Sequence, residues 1–136
     1  MAVVEQLMCA GADGTISFGN HKLESKAKLE DFEFNGDLWK VKTYKKMTKL
    51  EKNGLFVYES VPGTSVGNFK ETEEGLAFDV EGDEDAQITV GLSEETVYQV
   101  IINGESVGAM KTNLSGKLNV GVELAGDGEV NVKILK

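Results

Sequence analysis

The strongest constraint on this chain is a set of three Asn-Gly dipeptides, at Asn35–Gly36, Asn53–Gly54 and Asn103–Gly104, each lying between runs in which apolar and polar residues alternate. Asn-Gly supplies the two positive φ angles of a type I′ turn, the turn whose twist matches that of a two-stranded ribbon. A two-residue loop also sets the register. The first turn pairs Phe34 with Asp37 and Phe32 with Trp39, so Phe32, Trp39, Val41 and Thr43 share one face, and Lys40, Lys42 and Tyr44 share the other. The second pairs Lys52 with Leu55, Glu51 with Phe56, Leu50 with Val57 and Lys49 with Tyr58. That places Leu50, Leu55 and Val57 on one face, with Lys49, Glu51, Phe56 and Tyr58 on the other. A helical turn over Lys45–Lys52 is the alternative, because Met47 and Leu50 lie three apart, but Asn-Gly is the stronger local signal. The third turn pairs Ile102 with Glu105, Val100 with Val107 and Tyr98 with Ala109.

The rest of the chain repeats the pattern. Sixteen glycines and a single proline punctuate it, and alternation is common where helical periodicity is hard to find. An edge strand is expected within Ala2–Ala10, short strands at Thr15–Phe18 and His21–Leu29, and a type II turn at Val61-Pro62-Gly63-Thr64. Further strands are expected from Phe69, over Leu76–Val80, from Ala86, over Leu118–Val122, and over Val130–Ile134. Ten to twelve short strands at such spacing predict an all-β, antiparallel β-sandwich of Ig-like or jelly-roll-like kind. No linker divides the sequence, and residues 1–136 read as a single domain, long enough to bury roughly two-thirds of its unfolded surface.

Charge narrows the function. The net charge is −9, from 23 acidic and 14 basic residues, and every basic residue is a lysine. Arginine forks are the usual readers of guanine and phosphate, so an acidic chain without arginine predicts no nucleic-acid partner and no anionic membrane surface. The N-terminal run is interrupted by Glu5 and Gln6 and has no basic lead-in, and no apolar run reaches the ~20 residues of a membrane helix. Cys9 stands alone, which excludes an intrachain disulfide. These features predict a cytoplasmic protein, although a non-classical export route would leave no such trace.

Leu92-Ser93-Glu94-Glu95-Thr96-Val97-Tyr98-Gln99-Val100 resembles the approach to a tyrosine corner, in which a tyrosine hydroxyl bonds to backbone a few residues upstream. The pattern is similar to that of fibronectin type III domains, without their proline and with two further strands following. The continuation through Asn103-Gly104, Val107-Gly108, Lys111-Thr112-Asn113 and Gly116-Lys117-Leu118 is similar to terminal β-sandwich modules of bacterial polysaccharide-processing enzymes. The whole chain resembles a group of small acidic bacterial proteins of unknown function, some labelled endosialidase. Sialidase chemistry implies arginines that hold the substrate carboxylate, and this sequence has none.

No catalytic set stands out, and the chain is expected not to be an enzyme, with no cofactor and no metal. His21, the sole histidine, reads as a surface residue of a polar turn with no serine or cysteine in a triad-like context. Eight carboxylates between Glu71 and Asp85 could form a calcium loop over Asp79–Asp85, but they lack EF-hand spacing and read as solvated turns. Lys40, Lys42, Lys45, Lys46, Lys49 and Lys52 crowd the first two hairpins. Tyr44, Phe56 and Tyr58 add aromatic bulk to the same outward faces, where aromatics stack on sugars or bury in interfaces. The expected contact surface is therefore Tyr44, Phe56 and Tyr58 with Lys40, Lys42 and Lys49. It implies a non-catalytic protein acting by homo-oligomeric assembly or protein–protein contacts. A carbohydrate-binding module is the second reading. A small hydrolase using two carboxylates roughly 5–9 Å apart is the third.

Overall fold

A computed structural model describes residues 3–11, 13–125 and 128–136. Among them every regular element is a strand. In chain order these are β1 (Met8–Ala10), β2 (Ile16–Phe18), β3 (Ala27–Phe34), β4 (Asp37–Tyr44), β5 (Met47–Lys52), β6 (Leu55–Val61) and β7 (Ser65–Thr72). They continue as β8 (Gly75–Glu81), β9 (Ala86–Gly91), β10 (Val97–Ile102), β11 (Glu105–Lys111), β12 (Lys117–Val122) and β13 (Val130–Leu135). The strands form two antiparallel sheets, one ordered β1-β2-β7-β8-β13-β10-β11 and the other β12-β9-β6-β5-β4-β3. This is the expected all-β sandwich, with thirteen strands where ten to twelve were predicted.

Alternation builds the core. In β4, Trp39, Val41 and Thr43 turn inward while Lys40, Lys42 and Tyr44 face out, as the first Asn-Gly turn requires. From the facing sheet Phe18, Phe69 and Phe78 meet Tyr58, with ring centroids 5.3 Å apart for Phe18–Tyr58 and 5.6 Å for Tyr58–Phe78. These near-perpendicular contacts are the favoured geometry for aromatic pairs. One cluster of buried side chains joins both sheets.

Several expectations need correction. Of the strand predicted within Ala2–Ala10, Ala2 lies outside the described residues and Met8–Ala10 forms the strand among those described; His21–Lys26 forms turns and bends, so the strand after them begins at Ala27. The helical alternative over Lys45–Lys52 gives way to β5. The Val61–Pro62 bond is cis, which a type II turn does not contain. The largest correction concerns register. Lys52 and Glu51 pair with Leu55 and Phe56 as expected, but Leu50 then pairs with Tyr58 and Lys49 with Glu59. Val57 is an extra residue, a β-bulge, and it turns Tyr58 inward to 0% exposure. Tyr58 is therefore not part of a contact surface. The third hairpin slips in the same way, with Val100 opposite Gly108 and Tyr98 opposite Met110, leaving Val107 unpaired.

At the β9–β10 crossover the Ser93 amide donates to Tyr98 Oη at 3.1 Å. Thr112 Oγ1 accepts from the Thr96 amide at 2.9 Å and donates to the Ser93 carbonyl. The bonds pin the passage between sheets to the end of β11.

Candidate functional site

The outer face of the six-stranded sheet carries the lysines and two of the three aromatics. Tyr44 and Phe56 are half-buried, but they do not meet. Two inter-strand spacings and four ladder positions separate them, about 10 Å across and about 13 Å along the sheet. Phe56 lies over Gly91, where an added Cβ would stand 2.8 Å from the Phe56 carbonyl oxygen and 3.3 Å from the ring. Lys117 Nζ caps that ring, 4.7 Å from its centroid, and Lys26 Nζ stands 5.7 Å from that of Tyr44. The rings are covered by cations rather than presented as one aromatic platform.

Registry instead lines up like charges. Lys28 pairs with Lys42, and Lys42 with Lys49, across three adjacent strands. Lys28 reaches Glu30 at 3.0 Å, Lys40 reaches the same carboxylate at 3.8 Å, and Lys49 reaches Glu51 at 3.8 Å. Among the described residues no carboxylate lies within 4.0 Å of Lys42.

His21 is not a surface residue. It is 4% exposed, its Nδ1 lies 2.7 Å from Ser65 Oγ, and its Nε2 lies 3.7 Å from an Asp83 oxygen. A serine and a carboxylate do flank it, contrary to the sequence reading, because the strand Ser65 opens lies beside the Asn20–Lys22 turn. Ser65 is 0% exposed, so no substrate carbonyl can approach its hydroxyl. Burial pulls the histidine pKa below its ordinary value, against the opposing pull of Asp83. The trio is a packed clasp rather than a nucleophile with its base.

A seam of buried hydroxyls adjoins it. Thr64 Oγ1 contacts Tyr58 Oη at 2.8 Å and Ser60 Oγ at 2.7 Å. Thr48 Oγ1 donates to the Thr64 carbonyl at 2.7 Å and lies 2.8 Å from Thr43 Oγ1, and Thr43 Oγ1 accepts from the Asn20 amide at 2.9 Å. These groups satisfy one another in the core and leave nothing for a ligand.

The acidic stretch is dispersed among separate partners. Asp79 accepts from Asn68 and Asn131, Asp83 from Lys22, and Asp85 from the amides of Leu124 and Ala125. No group of three potential metal ligands converges among the described residues.

What remains open is the edge where β11 and β12 end their sheets. A cleft of about 500 Å³ lies there, lined by Ile102, Glu105, Val107, Met110, Val120 and Glu123. Its lining mixes the apolar side chains of Ile102, Val107, Met110, Val120 and Val130 with Asn103, Glu105 and Glu123 in about equal measure; Val107 is 52% exposed, and both ionisable lining residues are acidic. The Asn103–Gly104 turn predicts Val107 opposite Val100, and nothing local signals the bulge that turns it out of pairing. The lining residues come from strands distant in sequence, so only the topology assembles them.

Comparison with protein-family models, with curated proteins and with solved structures returns no match. Among the described residues no helix is long and apolar enough to cross a membrane.

Proposed function

We propose that this chain is a non-catalytic binding protein that works through contacts with another polypeptide, and that the β11–β12 edge is its contact site. The observation that supports this is the cleft itself, a mixed lining with exposed valine and methionine side chains left open where two sheets end, bordered by a strand whose residues are nearly all exposed. Open clefts that expose apolar side chains mark binding surfaces on proteins that otherwise cover their cores. The buried Ser65 and the dispersed carboxylates offer no competing centre for chemistry. Carbohydrate binding is the weaker reading, since Tyr44 and Phe56 lie apart and each is capped by a lysine.

The test compares the wild type with Val107→Asp as baits in a lysate of the source cells, with captured proteins quantified for each. Val107 is exposed, so the substitution leaves the core intact. A protein lost with the variant supports the reading when, purified, it binds the wild type and not Val107→Asp in solution; identical capture by both, or equal binding of the purified protein by both, sinks it.

A further inference from the structure

The two sheets are unequal, with seven strands facing six. At one end β1 lies against β3. Counting inward from that end matches β2 with β4, β7 with β5, β8 with β6, β13 with β9 and β10 with β12. Among the described residues β11 is then left without an opposing strand, and the cleft lies at that vacancy. Among its residues only Met110 is more than marginally covered.

Strand β12 is ready to accept a neighbour. Its partner β9 pairs with it in unbroken register from Lys117↔Gly91 to Val122↔Ala86. The Leu92 amide donates to the Gly116 carbonyl at 2.7 Å. Hydrogen-bonded pairs alternate along an antiparallel ladder, so Leu118, Val120 and Val122 bond to β9. The backbone groups of Asn119 and Gly121 point the other way, toward the free edge. Lys117 also points that way, but the Asn113 turn uses its amide and its carbonyl. The other edges are blunted, as edges usually are. Strand β3 carries a bulge and a positive-φ Asp31, β1 is three residues long, and β11 bulges at Val107.

We infer that the occupant of the cleft is an extended segment of the partner polypeptide, added to β12 as a seventh strand of the smaller sheet. This rests on the binding role proposed above and names how the partner is held. Backbone bonds to Asn119 and Gly121 supply the attachment, and alternate side chains reach inward onto Val107 and Met110. Those side chains are apolar, because the residues they meet, Val107 and Met110, are apolar. Glu105 and Glu123 stand at one mouth of the cleft with no lysine among the lining residues, so the segment carries a basic residue there. Charge complementarity of this kind sets direction and register more than strength.

The probe is a fluorescent octapeptide of alternating valine and lysine, titrated by anisotropy, with a valine–glutamate octapeptide and a valine–lysine peptide N-methylated at alternate residues as comparisons. The valine–lysine peptide should bind and the N-methylated one should lose about tenfold or more, the equivalent of one or two backbone hydrogen bonds. Hydrogen exchange at the Asn119 and Gly121 amides should slow on binding. Asn119→Pro removes an amide that the β12–β9 ladder does not use, and proline is tolerated at such edge positions. It should abolish binding while the melting temperature stays close to that of the wild type. Equal binding by the N-methylated peptide, or unchanged exchange at both amides, overturns strand addition while leaving the cleft as a contact site. Equal binding by the valine–glutamate peptide overturns the charge assignment. Binding that survives Val107→Asp, or no binding by the valine–lysine peptide, overturns the inference altogether.

Discussion

Thr64→Val tests whether the buried hydroxyl seam holds the sandwich together. Valine keeps the shape of threonine and removes Oγ1, which faces both Tyr58 Oη and Ser60 Oγ. All three residues are 0% exposed, so water cannot replace the lost partner. An unsatisfied buried hydroxyl costs about 1–3 kcal/mol; two of them give about 4 kcal/mol at the middle of the range. Unfolding entropy of ~2.1 cal/mol/K per residue makes the expected drop in melting temperature about 14 °C for a chain of this length. Urea unfolding followed by fluorescence of the buried Trp39 measures the loss directly. Tyr58→Phe alone, which leaves Thr64 its bond to Ser60, should cost about 1 kcal/mol. The triple variant Tyr58→Phe, Ser60→Ala, Thr64→Val removes donors and acceptors together, and should recover most of the stability lost by Thr64→Val. A loss below about 1 kcal/mol for Thr64→Val, or a triple variant no more stable than that single one, refutes the reasoning, since the penalty is assigned to stranded partners.

Three further outcomes follow from the same contacts. His21 is held below its ordinary pKa by burial, so the unfolded chain binds the extra proton more readily. Its contribution is complete above about pH 6.5 and is lost as pH falls from there through the lowered folded value; urea midpoints across pH 5–8 should slope in the wild type and flatten in His21→Gln. Lys42→Thr relieves repulsion from Lys28 and Lys49 and should raise stability by about 0.2–1 kcal/mol in low salt, a gain that shrinks as salt screens the row. Chelation should leave the melting temperature unchanged, because Asp79, Asp83 and Asp85 each serve a different partner; a fall on adding EDTA would restore the calcium reading.

The sequence was most informative where register could be propagated from a turn. Phe32 opposite Trp39, with Lys40, Lys42 and Tyr44 turned out, follows from one Asn-Gly and the two-residue period of a strand. It failed at the first bulge in each of the other hairpins, because an inserted residue reverses the facing of every residue that follows on that strand. Tyr58 changed sides by this route and became the centre of an aromatic cluster spanning both sheets. His21 was misread for a different reason. Its partner Ser65 lies 44 residues away, and nothing local to a polar turn signals that a distant strand will close over it.

The same physics explains why the candidate site was invisible. Bulging at Val107 keeps an apolar side chain on the inner surface of β11 without a cross-strand partner, and the vacancy it faces exists only because the sheets differ by one strand. Both facts belong to topology. A regular, unpaired strand such as β12 is also a hazard, since it offers its amides to any extended chain. Proteins ordinarily blunt such an edge, as this one does at β1 and β3. Strand β12 stays regular, with Val107 and Met110 beside it and two carboxylates at its mouth, which sets this edge apart from the others and is the ground of the proposed strand addition.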